Sequence, residues 1–212
     1  MNINLLSDQK IKYIKSYLQQ SQILDVGAGV GHYSEWICQN YKPIKVIALD
    51  HVDGKSFQNC EFVKTDLEKN LNLENEKFDT ILAFDVIEHI KNDEQLLTEI
   101  FRVCKHGGIL IGSVPYDEDK FLPNYNLTFY HRSDVTHKRY YTFKSLKNDL
   151  QKNGFEVLKI EKLGGVNPQV ISEFFPNILK PIVKKMVGLC RRIKLIDVTK
   201  LRSDLFFVAK KI

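Results

Sequence analysis

The chain has 212 residues, 43% of them hydrophobic and 27% charged, with a formal net charge of +5. That supports one well-buried α/β domain and is too little for two, and the mild positive charge permits an anionic partner without demanding one. There is no apolar run of the ~18–20 residues a bilayer crossing needs, no basic-then-apolar leader at the N-terminus, no internal repeat, and no C-x-x-C pair among Cys38, Cys60, Cys104 and Cys190. The cysteine usage fits neither a zinc site nor a disulfide framework and points to a reducing cytoplasm.

Residues 7–20 read as an amphipathic helix with Ile11, Ile14, Tyr17 and Leu18 on one face and Ser7 as N-cap. An apolar strand follows over 22–26, then three glycines at alternate positions (Gly27, Gly29, Gly31), then a helix whose apolar side is Tyr33, Trp36 and Ile37. Residues 45–50 form a second apolar strand ending in Asp50, and 62–67 a third, closed by Asp66. The links from Asp50 to Phe62 and from Asp66 to Phe78 are too short for full crossover helices. Residues 78–85 are the fourth strand. The spacing then predicts a helix over 92–106, capped by Asn92 or Asp93 and stopped by a left-handed Gly107, and a strand over 109–114. A helix over 142–153, capped by Thr142 and ended by Gly154, precedes a strand over 155–161; the last strand covers 204–210.

A strand, a glycine turn and a helix start make the nucleotide-binding end of an α/β sheet, and glycine lets backbone N–H groups approach a ligand closely. The second strand ends in a carboxylate that can accept hydrogen bonds from both hydroxyls of a ribose. The spacing is G-x-G-x-G, with Asp25 two residues before Gly27, which sets it apart from the G-x-G-x-x-G of dinucleotide oxidoreductases. With Phe62-Val-Lys-Thr-Asp-Leu67, Phe78-Asp-Thr-Ile-Leu-Ala-Phe-Asp85 and Lys105-His-Gly-Gly-Ile-Leu-Ile111 following in order, the sequence resembles the class I S-adenosylmethionine-dependent methyltransferases over roughly residues 20–163. The resemblance implies a Rossmann-like, doubly wound sheet, mostly parallel with an antiparallel last strand, in one domain over 1–212. It also implies a cofactor site made by Asp25, Gly27, Ala28, Gly29, Gly31, Asp50, His51, Asp66, Leu67 and Phe84, with Asp66 and the Leu67 backbone toward adenine. The alternative for Asp66 is a helix N-cap.

After the fourth strand comes Asp85-Val-Ile-Glu88-His89, at the sheet edge where open α/β sheets bind ligands. If the chain turns helically there, Asp85, Glu88 and His89 converge at i, i+3, i+4. A later stretch, from His131 to Thr142, carries His137 at the next cleft-facing position. The pairing is similar to the small-RNA ribose 2′-O-methyltransferases, and that match implies a divalent metal (Mg or Mn) on Asp85, Glu88, His89 and His137, with Asp85 a shorter carboxylate than their glutamate. The ubiquinone-biosynthesis type carries a Glu-His here too. By that match Glu88 is structural and His89 or His137 is a general base, so the catalytic candidates are Glu88, His89 and His137. A third reading leaves His131 and His137 as solvated loop residues.

The loop over 115–136, rich in aromatics and charge, suits a wall of the acceptor pocket; an ordered surface loop is the alternative. Residues 165–203 are a helical insertion between the last two strands, with eight basic residues between Leu179 and Arg202 and only Asp197 as an acid. Its helix, over 181–194, suits an anionic membrane or a lipid-linked substrate, a cover for the acceptor site, a dimer contact, or simply a packed helix with a solvated basic face.

The sequence therefore predicts a methyltransferase, cytoplasmic or peripheral at a membrane, acting on a hydroxyl of a small molecule, a sugar or a lipid-linked glycan. The alternatives are a metal-dependent ribose 2′-O-methyltransferase on RNA, disfavoured by the lack of an RNA-binding module, and a non-catalytic cofactor-binding subunit.

Overall fold

The computed structural model describes residues 6–117, 134–163, 172, 175–192 and 204–212, with the backbone alone at Arg191 and Arg192. Strands β1 (Gln22–Val26), β2 (Lys45–Asp50), β3 (Cys60–Lys64), β4 (Phe78–Phe84), β5 (Cys104–Pro115), β6 (Phe155–Leu163) and β7 (Asp204–Lys211) form one sheet in the order β3-β2-β1-β4-β5-β7-β6. Among the described residues the helices named are α1 (Asp8–Tyr17), α2 (His32–Tyr41), α3 (Asp93–Val103), α4 (Phe143–Lys152) and α5 (Lys180–Arg192), with a 3-10 turn at Ile87–His89.

The pairs from β3 through to β5 are parallel, and β7 runs antiparallel to both β5 and β6, as the resemblance implies. Four of the five residues of β1 and five of the six of β2 are buried, because both faces of the sheet are covered. Alternate residues supply the two faces. Leu24, Ile47, Ile81 and Leu110 join the core that includes α3 and α4, while Ile23, Val46, Leu82 and Ile111 join the one that includes α1 and α2. The order of the strands reverses between β1 and β4, which opens the crevice at their carboxyl ends.

Several boundaries depart from the sequence reading for local reasons. Helix α3 ends at Val103, not 106, because Cys104 already has extended geometry (ψ 136°) and starts β5. Gly107 is left-handed as expected (φ 78°), but it serves the irregular register of β5 on β4, where Phe78 faces Cys104 and Thr80 faces Ile109. Lys211 reaches back to close the helix, its buried ammonium donating to the Phe101 and Cys104 carbonyls at 2.9 Å each. Strand β3 stops at Lys64, so Asp66 lies two residues past it. Helix α1 stops at Tyr17, where Leu18 turns extended, and Ser7 makes no side-chain cap; its N–H donates to the Tyr33 hydroxyl at 3.0 Å. The Thr142 cap is present, as a reciprocal box with Ser145.

Candidate active site

The bend after β1 is built by backbone geometry that only glycine adopts cheaply. Gly27, Gly29 and Gly31 have φ of 71°, 58° and 89°. The N–H groups of Gly27 and Ala28 donate to the Leu49 carbonyl at 2.9 and 3.0 Å, which ties the bend to β2. A Cβ on Gly27 would lie 2.4 Å from Cγ2 of Val86, so the chain after β4 packs directly on this turn. A Cβ on Gly29 would meet nothing within 4 Å: the turn is closed on one side and open on the other.

Asp50, at the tip of β2, is buried, and its carboxylate organises the opening. Oδ2 accepts from the Gly29 N–H at 2.7 Å; Oδ1 accepts from the Val52 N–H at 3.1 Å and lies 2.9 Å from Nδ1 of the exposed His51. Asp25 is 3% exposed and accepts from the Ser34 hydroxyl at 2.7 Å. Burial pushes its carboxyl up to about 6, against the opposing pull of that hydrogen bond. Asp66 is exposed and held in a local turn by the Glu68 N–H (3.1 Å) and Lys69 (3.3 Å), contacts that keep its carboxyl below the usual range; Leu67 beside it is buried. The Thr65 N–H donates to the Asp50 carbonyl at 2.7 Å, which holds this turn at the same sheet edge. Phe84, the last residue of β4, stacks tilted on Tyr33 with centroids 5.5 Å apart, and the Lys10 ammonium lies 5.2 Å from its centroid.

The structure separates Asp85 from Glu88 and His89, the three residues that helical spacing would bring together. Asp85 is left-handed (φ 51°), and the 3-10 turn begins only at Ile87, so its side chain leaves the common face. Its carboxylate takes the Ser113 hydroxyl on one oxygen and the Lys10 ammonium on the other. Glu88, His89 and His137 do come together, with one potential ligand atom from each lying within 4.8 Å of the others. Glu88 is 1% exposed, and its Oε2 has no hydrogen-bond partner among the described residues. Burial, with the charge of Asp85 adding to it, pushes this carboxyl well above the usual range. The His89 and His137 rings meet edge to face with centroids 4.7 Å apart.

Two residues that the sequence did not single out fix the state of His89. The Thr136 hydroxyl donates to Asp134 Oδ1 at 2.5 Å and lies 2.9 Å from Nδ1 of His89. A hydroxyl has one proton, and Asp134 can only accept, since these contacts hold its carboxyl below the usual range. The Thr136 oxygen is therefore the acceptor toward the Nδ1–H of His89, which in the neutral ring leaves the lone pair on Nε2. Nε2 of His137 lies 3.5 Å from the other oxygen of Asp134.

This segment is fastened to the turn it faces. The N–H groups of Lys138 and Arg139 donate to the Glu88 carbonyl at 2.7 and 3.3 Å. The Arg139 guanidinium bridges Asp93 of α3 and Asp149 of α4, and the buried Tyr141 hydroxyl donates to Asp93 at 2.6 Å. Lys10, Ser113, Thr136 and Arg139 carry no local sequence signal: Lys10 meets Asp85 across 75 positions. His131 and most of the acceptor-wall loop lie outside the described residues.

Comparison with known proteins fits this geometry. A family described as a methyltransferase domain matches residues 5–160. The chain is 27% identical over 119 residues to a ubiquinone biosynthesis O-methyltransferase of Pelagibacter ubique, a match covering 50% of this chain and 47% of that protein. It is 34% identical over 112 residues to N-methyltransferase 4 of Papaver somniferum, covering 47% and 28%. The matches thus span less than half the length of these relatives. A solved S-adenosylmethionine-dependent methyltransferase from Archaeoglobus fulgidus shares the fold with a TM-score of 0.67 at 20% identity, over 98% of this chain and 94% of that one. The solved cyclase SpnF does so at 0.62 and 16%, over 96% and 79%, so the fold by itself names no reaction. By its matched domain, its sheet order and its glycine turn, the chain belongs to the class I S-adenosylmethionine-dependent methyltransferases.

Proposed function

We propose that the chain methylates a hydroxyl group on a small molecule, a sugar or a lipid-linked glycan. S-adenosylmethionine supplies a sulfonium-bound methyl group, an electrophile that needs no further activation. The residues present fit it: the open face over Gly29 leaves room where a side chain would stand, and the buried Asp50 carboxylate offers acceptors at the strand tip. Asp25, Ala28, Gly31, His51, Asp66, Leu67 and Phe84 complete the surface assigned to it.

The observation that carries the choice of acceptor is the tautomer of His89. A neutral amine attacks with its own lone pair, whereas a hydroxyl must lose a proton as it attacks. With Nδ1–H donated to Thr136, Nε2 of the neutral His89 imidazole is the nitrogen that can take that proton. The relatives include both an O-methyltransferase and an N-methyltransferase, so descent alone does not decide. The test is incubation of methyl-labelled S-adenosylmethionine with fractionated glycans, lipids, small molecules and RNA. Label in an ether linkage supports the reading, and label found solely on nitrogen overturns it.

A second reading, a metal-dependent ribose 2′-O-methyltransferase, is favoured by the unpartnered buried Oε2 of Glu88 beside two imidazoles. Glu88, His89 and His137 would hold the ion, and it would lower the pKa of the acceptor hydroxyl. One carboxylate and two imidazoles suit Mn more than Mg, which prefers oxygen ligands. Asp85, engaged by Ser113 and Lys10, is left out of the set. Activity unchanged after chelation, with no metal bound, would rule this version out.

A further inference from the structure

Two cysteines that lie far apart in the sequence meet in the fold. Cys38 stands half-buried in the second half of α2, and Cys60 opens β3, 4% exposed. Both belong to the apolar cluster beneath α2, Cys38 packing at its margin. The turn before β3 sets up the meeting: Phe57 and Cys60 exchange both backbone hydrogen bonds, at 3.0 and 2.9 Å, around a left-handed Asn59 (φ 64°). The Cys60 thiol donates to the Cys38 sulfur. Accepting that bond holds the Cys38 thiol below its usual range, against the burial that raises it; donating it, with burial added, holds Cys60 above. A groove of about 520 Å³ opens onto Cys38, with Glu35, Lys42 and Asn59 among its walls. Cys104 is a contrast: it is fully buried, and burial pushes its thiol up to about 12.

We propose that Cys38 and Cys60 are a peroxide-reactive modification site, Cys38 the attacking sulfur and Cys60 the resolving one, closing a reversible disulfide between α2 and β3. The groove admits hydrogen peroxide to Cys38, whose thiolate attacks one of its oxygens. A sulfur–oxygen bond forms, the oxygen–oxygen bond breaks, and the hydroxide released leaves as water with the Cys38 proton, so that Cys38 becomes a sulfenic acid. The Cys60 sulfur then attacks the Cys38 sulfur. The sulfur–sulfur bond forms, the sulfur–oxygen bond breaks, and the hydroxyl leaves with the Cys60 proton as a second water. The two thiols give up two electrons and the peroxide takes them; a dithiol reductant returns them by exchange. The order of attack follows from access and charge: the sulfur reached from the groove is also the one that its neighbour's hydrogen bond favours as thiolate.

The experiment exposes the folded full chain to hydrogen peroxide, blocks the remaining thiols, and maps disulfides by peptide mass spectrometry without reductant. The expected result is a Cys38–Cys60 linkage that exceeds every other pairing by about tenfold or more, reverses with dithiothreitol, and loses its preference when the chain is oxidised in unfolding urea. Cys60→Ala abolishes the linkage and leaves Cys38 as a sulfenic acid that dimedone traps, whereas Cys38→Ala leaves about tenfold less trapped at Cys60. Thermal melts check that each variant folds. Should Cys60→Ala fail to fold, dimedone present while the unaltered chain meets peroxide intercepts Cys38 before the linkage closes, and gives the same readout. Four results overturn the proposal: Cys38 untouched by peroxide, Cys38 oxidised with Cys60 left as a free thiol, dimedone label on Cys60 in place of Cys38, or a preference for the 38–60 linkage that persists unchanged in urea.

Discussion

Gly27 and Gly29 are two residues apart, share a left-handed backbone, and have opposite surroundings, so alanine at each separates fold from function. At Gly27 (φ 71°) alanine incurs the left-handed penalty, about 1 kcal/mol, and also places its Cβ 2.4 Å from Cγ2 and 2.5 Å from Cβ of Val86. Overpacking of that kind costs about 1–3 kcal/mol, which gives a total of about 3 kcal/mol. At Gly29 (φ 58°) nothing lies within 4 Å, so only the backbone penalty of about 1 kcal/mol applies. The added methyl group there stands in the opening assigned to the cofactor. Urea unfolding should therefore rank Gly27→Ala well below Gly29→Ala at unchanged m, while calorimetry with S-adenosylmethionine should find the larger loss of affinity per unit of stability in Gly29→Ala.

A double-mutant cycle isolates the contact itself. Val86→Ala removes the atoms at 2.4 and 3.2 Å from the new Cβ but keeps the one at 2.5 Å, whereas Val86→Gly removes all three. The coupling with Gly27→Ala should be favourable, about 1 kcal/mol for Val86→Ala and about 2 kcal/mol for Val86→Gly. Strict additivity in both cycles, or equal stability of the two glycine variants, would refute the claim that Val86 closes this turn.

Asp25 carries a pH signature. Its folded pKa of about 6 exceeds the ordinary 3.8, so the native state keeps a proton that the unfolded chain loses. Its stabilising share is full below 3.8, is lost as pH rises to about 6, and amounts to about 3 kcal/mol; Asp25→Asn should flatten that part of the stability profile. Thr136→Val removes the acceptor for His89 Nδ1–H with little change of shape, and should lower kcat about tenfold or more with KM retained, Thr136→Ser restoring most of it. Arg139→Met strands Asp93 and Asp149. With 38% of the arginine side chain exposed, the buried-pair cost is discounted to about 2 kcal/mol in urea, part of it recovered by adding Asp149→Asn.

The sheet was legible because parallel strands covered on both faces, such as β1 and β2, read as continuous apolar runs, with a glycine following the first and a carboxylate ending the second near the cleft. Gly107 shows where such reading stops. A helix stop and a strand irregularity both need left-handed glycine, and the residue carries no mark of which it serves. The Asp85 reading failed for a related reason. Helical spacing brings i, i+3 and i+4 together only if the helix includes residue i, and here the turn starts two residues later. Glu88, His89 and His137 could be named from their pattern, but Thr136, Lys10 and Arg139 act through partners 47, 75 and 46 positions away, where local spacing is blind.

Residues 85–89 join the two halves of the site mechanically. Val86 packs on the glycine turn, the Glu88 carbonyl receives two N–H groups from the segment carrying His137, and His89 is oriented by Thr136 of the same segment. The proposed base is thus positioned by the backbone that shapes the opening assigned to the cofactor, not by an independent loop. A substitution of the Val86 side chain, which packs on the glycine turn while the Val86 carbonyl accepts the His89 N–H at 3.0 Å, should consequently disturb cofactor affinity and proton abstraction together, whereas one at Thr136 should disturb abstraction alone. That asymmetry distinguishes a preorganised site from histidines that happen to be close, because chance neighbours would give no coupling through Val86.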